Sequence, residues 1–140
     1  MGTLFSITLP AQLENLPKMI TAVVDCAKAR GFPTGKTSEI ELAAEEALVN
    51  ICSYAYPEQA GEFEVIAEVN GNDFIIKIID SGIPFDITAL SDPDVTADAD
   101  NRKLGGLGVF LMKRMVDELR YRRENGRNIL ELIFKKVEEG

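Results

Sequence analysis

The sequence predicts an α/β two-layer sandwich (α+β), in which a mixed, mainly antiparallel sheet is covered on one face by three helices. Three observations lead there. Three stretches carry apolar residues at helical spacing, and two others alternate apolar and polar residues around Asn-Gly turns. No internal repeat, low-complexity tract or linker divides the 140 residues. A chain of this length buries about two-thirds of its unfolded surface in one core, so a single domain, 1–140, is expected.

In chain order, Thr3 to Leu9 alternates weakly and reads as a short strand ended by Pro10, which cannot donate to a ladder. From Ala11 to Arg30, Leu13, Leu16, Ile20, Val23, Val24 and Ala27 fall at helical spacing, and Gly31 is a natural stop. A second helix is expected from near Ser38, where Ser38-x-x-Glu41 has the form of a capping box, to about Tyr56 before Pro57. Phe63, Val65, Ala67 and Val69 then alternate with Glu62, Glu64, Ile66 and Glu68, a strand with one buried and one mostly wet face. Asn70-Gly71 supplies a hairpin turn. On the return strand, if Lys77 points to solvent, then Phe74, Ile76, Ile78 and finally Asp80 point inward. A polar loop runs from about Ile87 to Leu104. It ends in a glycine cluster that opens a third helix with Val109, Met112, Met115, Val116 and Leu119. Leu119 to Lys136 closes the chain as a hairpin turning at Asn125-Gly126, with Leu130, Leu132 and Phe134 on one side of the return strand.

Composition narrows the function. Against 15 basic residues stand 23 acidic ones, a net charge of -8, the wrong sign for wrapping a nucleic-acid backbone or lying on an anionic membrane. The chain shows no apolar run of about 18 residues and no charged-then-apolar leader, so a cytoplasmic protein is expected. Cys26 and Cys52 lack metal-ligand spacing and read as buried free thiols. With no histidine, a His-based triad and a phosphorylatable histidine are both excluded.

Four stretches carry chemistry. In the second helix, a turn of about 100° per residue puts Glu46 and Asn50 on a face shared with Leu42 and Ala43, one turn apart. The carboxylate could serve as a general base and the amide oxygen as a ligand for a hard cation; the plainer alternative is an i, i+4 hydrogen-bonded pair on a solvated face. Asp80 closes an inward-facing row and has to find a donor, since an unpaired buried charge is expensive. The long loop holds Asp92, Asp94, Asp98 and Asp100 without the glycine and terminal glutamate of a calcium loop, and its length fits a lid over a site. Gly105, Gly106 and Gly108 leave backbone N–H groups approachable at a helix start, which suits a phosphate.

In this order, Glu-x-x-x-Asn on a helix, Asp-x-Gly-x-Pro after a strand, a polar lid and Gly-Gly-Leu-Gly at a helix start resemble the nucleotide-binding domain shared by gyrase, Hsp90-type chaperones, histidine kinases and MutL. From about Leu9 to Lys136 the chain is similar to the stand-alone anti-sigma-factor serine-protein kinases of bacteria. Asp80-Ser81-Gly82-Ile83-Pro84-Phe85-Asp86 and Gly105-Gly106-Leu107-Gly108, with Arg102 shortly before it, carry that narrower likeness. The resemblance implies ATP and Mg²⁺ as cofactors and a lid at about 87–104. It implies that Asn50 binds the metal and that Asp80 accepts from the exocyclic amine of adenine. Gly82 would let the backbone approach the base, and Gly105, Gly106, Leu107 and Gly108 would close on the phosphates. Glu46 would orient or deprotonate the attacking hydroxyl, and Arg102 and Lys103 would neutralise γ-phosphate charge. The implied function is phosphorylation of a serine or threonine on a small anti-sigma-factor antagonist, together with sequestration of a sigma factor. Relatives of this kind are often homodimers, although no sequence feature here marks an interface. Two positions depart from the pattern: Pro84 stands where many members have glycine, and Tyr54 where this branch often has histidine. Two rival readings are a nucleotide-dependent binding module without kinase activity and a phosphate-transfer domain serving a separate histidine-bearing protein. Glu46 argues against the first, and the lack of a preceding phosphoacceptor helix pair against the second.

Overall fold

A computed structural model describes residues 2–56, 61–89 and 106–136, with the side chains of 106 and 107 left out. The expected loop at about 87–104 lies almost wholly outside the described residues; its first residues form a 3₁₀ turn, Ile87–Ala89.

Five strands form one sheet: β1 (Gly2–Pro10), β2 (Glu62–Asn70), β3 (Asp73–Asp80), β4 (Glu118–Glu124) and β5 (Arg127–Lys135), in the spatial order β1-β2-β3-β5-β4. All four pairings are antiparallel. Three helices cover one face: α1 (Leu16–Ala29), α2 (Thr34–Tyr54) and α3 (Gly106–Met115). The expected two-layer sandwich is the observed one.

Register explains the layering. Val65, Ile78 and Leu130 face one another across β2, β3 and β5, as do Ala67, Ile76 and Leu132. These rows are buried and join Met19 and Val23 of α1, Ile40, Ala44 and Leu48 of α2 and Met112 of α3 in one core. The period-2 alternation therefore put the right residues inside. The opposite face carries ion pairs instead, Lys77 with Glu68 at 2.9 Å and Arg122 with Glu131 at 2.7 Å.

Several boundaries differ from the sequence reading: helix α3 ends at Met115, so Val116 lies past it and Leu119 belongs to β4. Helix α2 starts at Thr34, a turn before Ser38, so the capping box does not form; Ser38 Oγ donates to the Thr34 carbonyl at 3.1 Å. Pro33, extended at ψ 159°, occupies the N-cap position, and the Thr37 amide already reaches its carbonyl. Weak helix formers such as Thr34 and Gly35 hide that start from a propensity reading. Helix α1 starts at Leu16, with Pro17 in its first turn and a 3₁₀ turn, Leu13–Asn15, before it. Gly31 ends α1 at a φ of 88°, as expected of a residue just past a helix.

Both hairpins are present. Asn125 and Gly126 sit at φ 52° and 76° between the paired Glu124 and Arg127, the geometry that favours Asn-Gly. In the other hairpin Asn70 pairs with Asp73, so the turn residues are Gly71 and Asn72, one place later than expected. Of the two, only Gly71 has a positive φ, which matches a turn that asks for glycine at its first central position alone.

Candidate functional site

Asp80 is the last residue of β3, and strand parity turns it inward beneath the helices. It is 2 % exposed. Its Oδ1 accepts from the Gly82 backbone amide at 2.9 Å and from Asn128 Nδ2 at 2.8 Å. Burial pushes its carboxyl above the ordinary value of 3.8, while the hydrogen bonds from Asn128 and Gly82 and the charge of Arg123 pull it back. The donor that the sequence demanded is thus Asn128, directly opposite on β5.

Asn128 is itself 3 % exposed. Its Nδ2 also donates to the Ile83 carbonyl at 2.8 Å, and its Oδ1 accepts from the Phe85 amide and the Tyr121 hydroxyl. A backbone carbonyl can only accept and a backbone amide can only donate, so these neighbours fix which way the side-chain amide faces. Ile51, Phe85, Ile87, Tyr121 and Leu130 close an apolar recess over Asp80 and Asn128, a cavity of about 10 Å³. That is room for roughly one water. Phe85 stacks against Tyr54 with ring centroids 5.3 Å apart.

Helix α2 reaches the recess through Ile51. Asn50 is the preceding residue, 3 % exposed, with Nδ2 donating to the Glu46 backbone carbonyl at 2.7 Å. The expected i, i+4 pairing therefore runs to the main chain and leaves the Glu46 carboxylate out of it. Glu46 is half-buried, and burial first, then the charge of Glu45, raises its carboxyl above the ordinary range. Gly108 of α3 packs against this carboxylate so closely that a β-carbon there would collide with it.

The loop after Asp80 is tied to the end of the same helix. The Ile83 amide donates to the Ala55 carbonyl at 2.9 Å, and a β-carbon on Gly82 would collide with that carbonyl. The glycine is required here by the loop's own packing on α2. Tyr56 Oη accepts from the Ser81 amide at 2.7 Å and donates to the Glu62 carbonyl at 2.6 Å. Arg123 Nη1 donates to the Gly82 carbonyl at 2.8 Å. A separate, open cleft of about 880 Å³, lined by Pro10, Tyr56, Ser81, Pro84 and Arg123 among others, includes neither Glu46, Asn50 nor Asp80. Its size alone does not make it the site, because the buried carboxylate and the convergent donors lie in the smaller recess.

Of the residues singled out from the sequence, Asp80 lines the recess and is hydrogen-bonded by Gly82, which itself lines the open cleft; Glu46 meets Gly108 where α2 faces α3, and Asn50 is tied to the Glu46 backbone. Gly106 and Leu107 form the first two positions of α3. Arg102, Lys103 and Gly105 lie outside the described residues. Asn128, Tyr121, Tyr56 and Arg123 escaped the sequence reading. Parity could have found the first: stepping back from Leu130 on β5 gives a polar residue at an inward position. The two thiols are half-buried rather than buried; burial raises both, Cys52 to about 11.

The donor set can be weighed against the cofactors implied by the sequence. Asp80 offers an acceptor at the floor of an apolar slot, which suits an exocyclic amine. Among the described residues no three His, Cys, Asp or Glu side chains cluster. No described helix is long and apolar enough to cross a membrane.

The sequence pattern of the histidine kinase-like ATPase domain matches residues 9–134. The serine-protein kinase RsbW of Bacillus cereus strain AH820 is 25% identical over 126 residues, covering 87% of this chain and 79% of the relative. RsbW of Bacillus anthracis gives the same figures. In solved structures, a chain of the SiaB–SiaC complex from Pseudomonas aeruginosa superposes with a TM-score of 0.69 at 15% identity, over 94% of this chain and 89% of that one. This last likeness is one of fold.

Proposed function

This chain belongs to the histidine kinase-like ATPase domain family, and on that premise we propose that it is an ATP-dependent serine/threonine-protein kinase of the anti-sigma-factor type. One observation carries the reading. A single helix, α2, runs from the recess over Asp80 to the contact with α3, and along it Ile51, Asn50 and Glu46 follow in order. Those groups suit a base at one end and phosphates at the other.

In this reading Asp80 accepts from the exocyclic amine of adenine through the oxygen that Asn128 and Gly82 leave open. Asn50, its Nδ2 spent on the Glu46 carbonyl, turns its amide oxygen to Mg²⁺. Backbone amides at Gly105, Gly106, Leu107 and Gly108 approach the phosphates, and Arg102 and Lys103 offset their charge. ATP bound there supplies the phosphoryl group. Glu46 would take the proton of a partner's hydroxyl as that oxygen bonds to the γ-phosphorus and the bond to the β-phosphate oxygen breaks, releasing ADP. Its raised pKa supports the role, because a base works best when its pKa nears the working pH. The relatives named serine-protein kinases support a serine acceptor. We assign as partners a small anti-sigma-factor antagonist, which is phosphorylated, and a sigma factor, which is withheld, in a bacterial cytoplasm.

Calorimetry of ATP binding with and without Mg²⁺, followed by γ-phosphate transfer to antagonist candidates, tests the proposal. Mg²⁺-dependent binding with transfer to one serine is the expected result. Binding without transfer would favour the nucleotide-gated module, and no binding would overturn the site.

A further inference from the structure

The loop after Asp80 is gripped from the open cleft, on the side away from the recess over Asp80. Tyr56 Oη holds the Ser81 amide at 2.7 Å and is itself anchored on the Glu62 carbonyl. Arg123 Nη1 holds the Gly82 carbonyl at 2.8 Å. These are the two residues after Asp80, and the Gly82 amide donates to the Asp80 carboxylate. Neither Tyr56 nor Arg123 lines the recess over Asp80; both line the open cleft beyond the loop.

We infer that Tyr56 and Arg123 are positioning residues for adenine recognition, bracing Ser81 and Gly82 from the cleft so that the Gly82 amide and the Asp80 carboxylate keep their orientation. This rests on the nucleotide reading above. The physical reason is preorganisation. A loop that must order itself when a ligand arrives subtracts that cost from the affinity, whereas one already held does not. Both anchors reach across long stretches of sequence, Tyr56 from just past the end of α2 and Arg123 from β4. They immobilise the loop against two rigid elements at once. The phenol oxygen donates one hydrogen bond and accepts another, so Tyr56→Phe deletes the brace while keeping the ring.

The test compares Tyr56→Phe, Arg123→Met and Arg123→Lys with the unsubstituted protein. Affinity is measured for ATP, adenosine and inorganic tripolyphosphate, and backbone hydrogen exchange is measured at Ser81 and Gly82. Losing one hydrogen bond predicts about five- to tenfold weaker binding. That loss is expected for ATP and adenosine alike in Tyr56→Phe and Arg123→Met, with tripolyphosphate unchanged and faster exchange at Ser81 and Gly82. Arg123→Lys, which keeps a donor, is expected to recover most of it. Unchanged adenosine affinity despite faster exchange overturns the inference, and so does an equal loss for tripolyphosphate, which would mark a merely structural role. Failure of the unsubstituted protein to bind either ATP or adenosine overturns the underlying nucleotide reading, and is seen before any substitution is made.

Discussion

Asn128 donates to Asp80 at 2.8 Å across the β3–β5 pair, and the two residues face each other in register at the end of the sheet. The same amide holds the Ile83 carbonyl, the Phe85 amide and the Tyr121 hydroxyl. One side chain thus fastens the loop after β3 to β5 and β4. It also engages one carboxylate oxygen of Asp80, which holds the carboxylate in a fixed orientation.

Asn128→Leu removes all four partners at once and leaves polar groups buried. Stability should fall by about 1–3 kcal/mol, the range for an unsatisfied buried group, and denaturant unfolding measures it. A loss below a few tenths of a kcal/mol would mean that water replaces the amide without cost.

Asp80 and Glu46 should separate binding from chemistry. Asp80→Ala is expected to weaken ATP by about 1.5–3 kcal/mol, as for a hydrogen bond to a charged group. Glu46→Ala should keep ATP affinity and lose phosphate transfer. Calorimetry alongside a transfer assay distinguishes them, and equal loss of nucleotide in both variants would count against these roles.

The pH dependence follows from the sign of the Asp80 shift. Burial holds its carboxyl above 3.8 in the folded protein, so the folded state binds that proton more tightly than the unfolded chain. Ionisation of Asp80 therefore costs stability above the folded pKa, and the cost disappears as pH falls to 3.8. Asp80→Asn should unfold at a higher temperature than the unsubstituted protein at neutral pH, with the difference shrinking toward pH 4. A constant difference across that range would show that Asp80 titrates normally.

Gly108→Ala sets a β-carbon against the Glu46 carboxylate. Either α3 moves away or Glu46 rotates, and each displaces the proposed base. Because a misplacement of about 1 Å can cost about 100-fold in rate, the transfer rate should drop at least tenfold while the fold persists. An unaltered rate would place the reacting hydroxyl elsewhere.

Much of this was legible before any coordinates. Period-2 alternation oriented Asp80, because a single charge, Lys77, sufficed to assign the faces of β3. The Asn125-Gly126 turn was legible for the same local reason, a backbone shape that few residue types accept. What escaped was what only the folded chain brings together. Tyr56 meets Ser81 across 25 positions and Arg123 meets Gly82 across 41, separations that no periodicity encodes. Gly82 looked like room for a ligand, yet its missing side chain first makes room for the Ala55 carbonyl. The start of α2 was misplaced because Ser38 and Glu41 imitate a cap within a helix already under way.

The attachment of the loop to Ala55, on the helix that also carries Glu46, turns α2 into a ruler. Nine residues separate these positions, about 13.5 Å at a rise of about 1.5 Å per residue. That length is fixed by the hydrogen-bonded helix. A molecule that touched both the loop anchored at Ala55 and the Glu46 carboxylate would have to span that length.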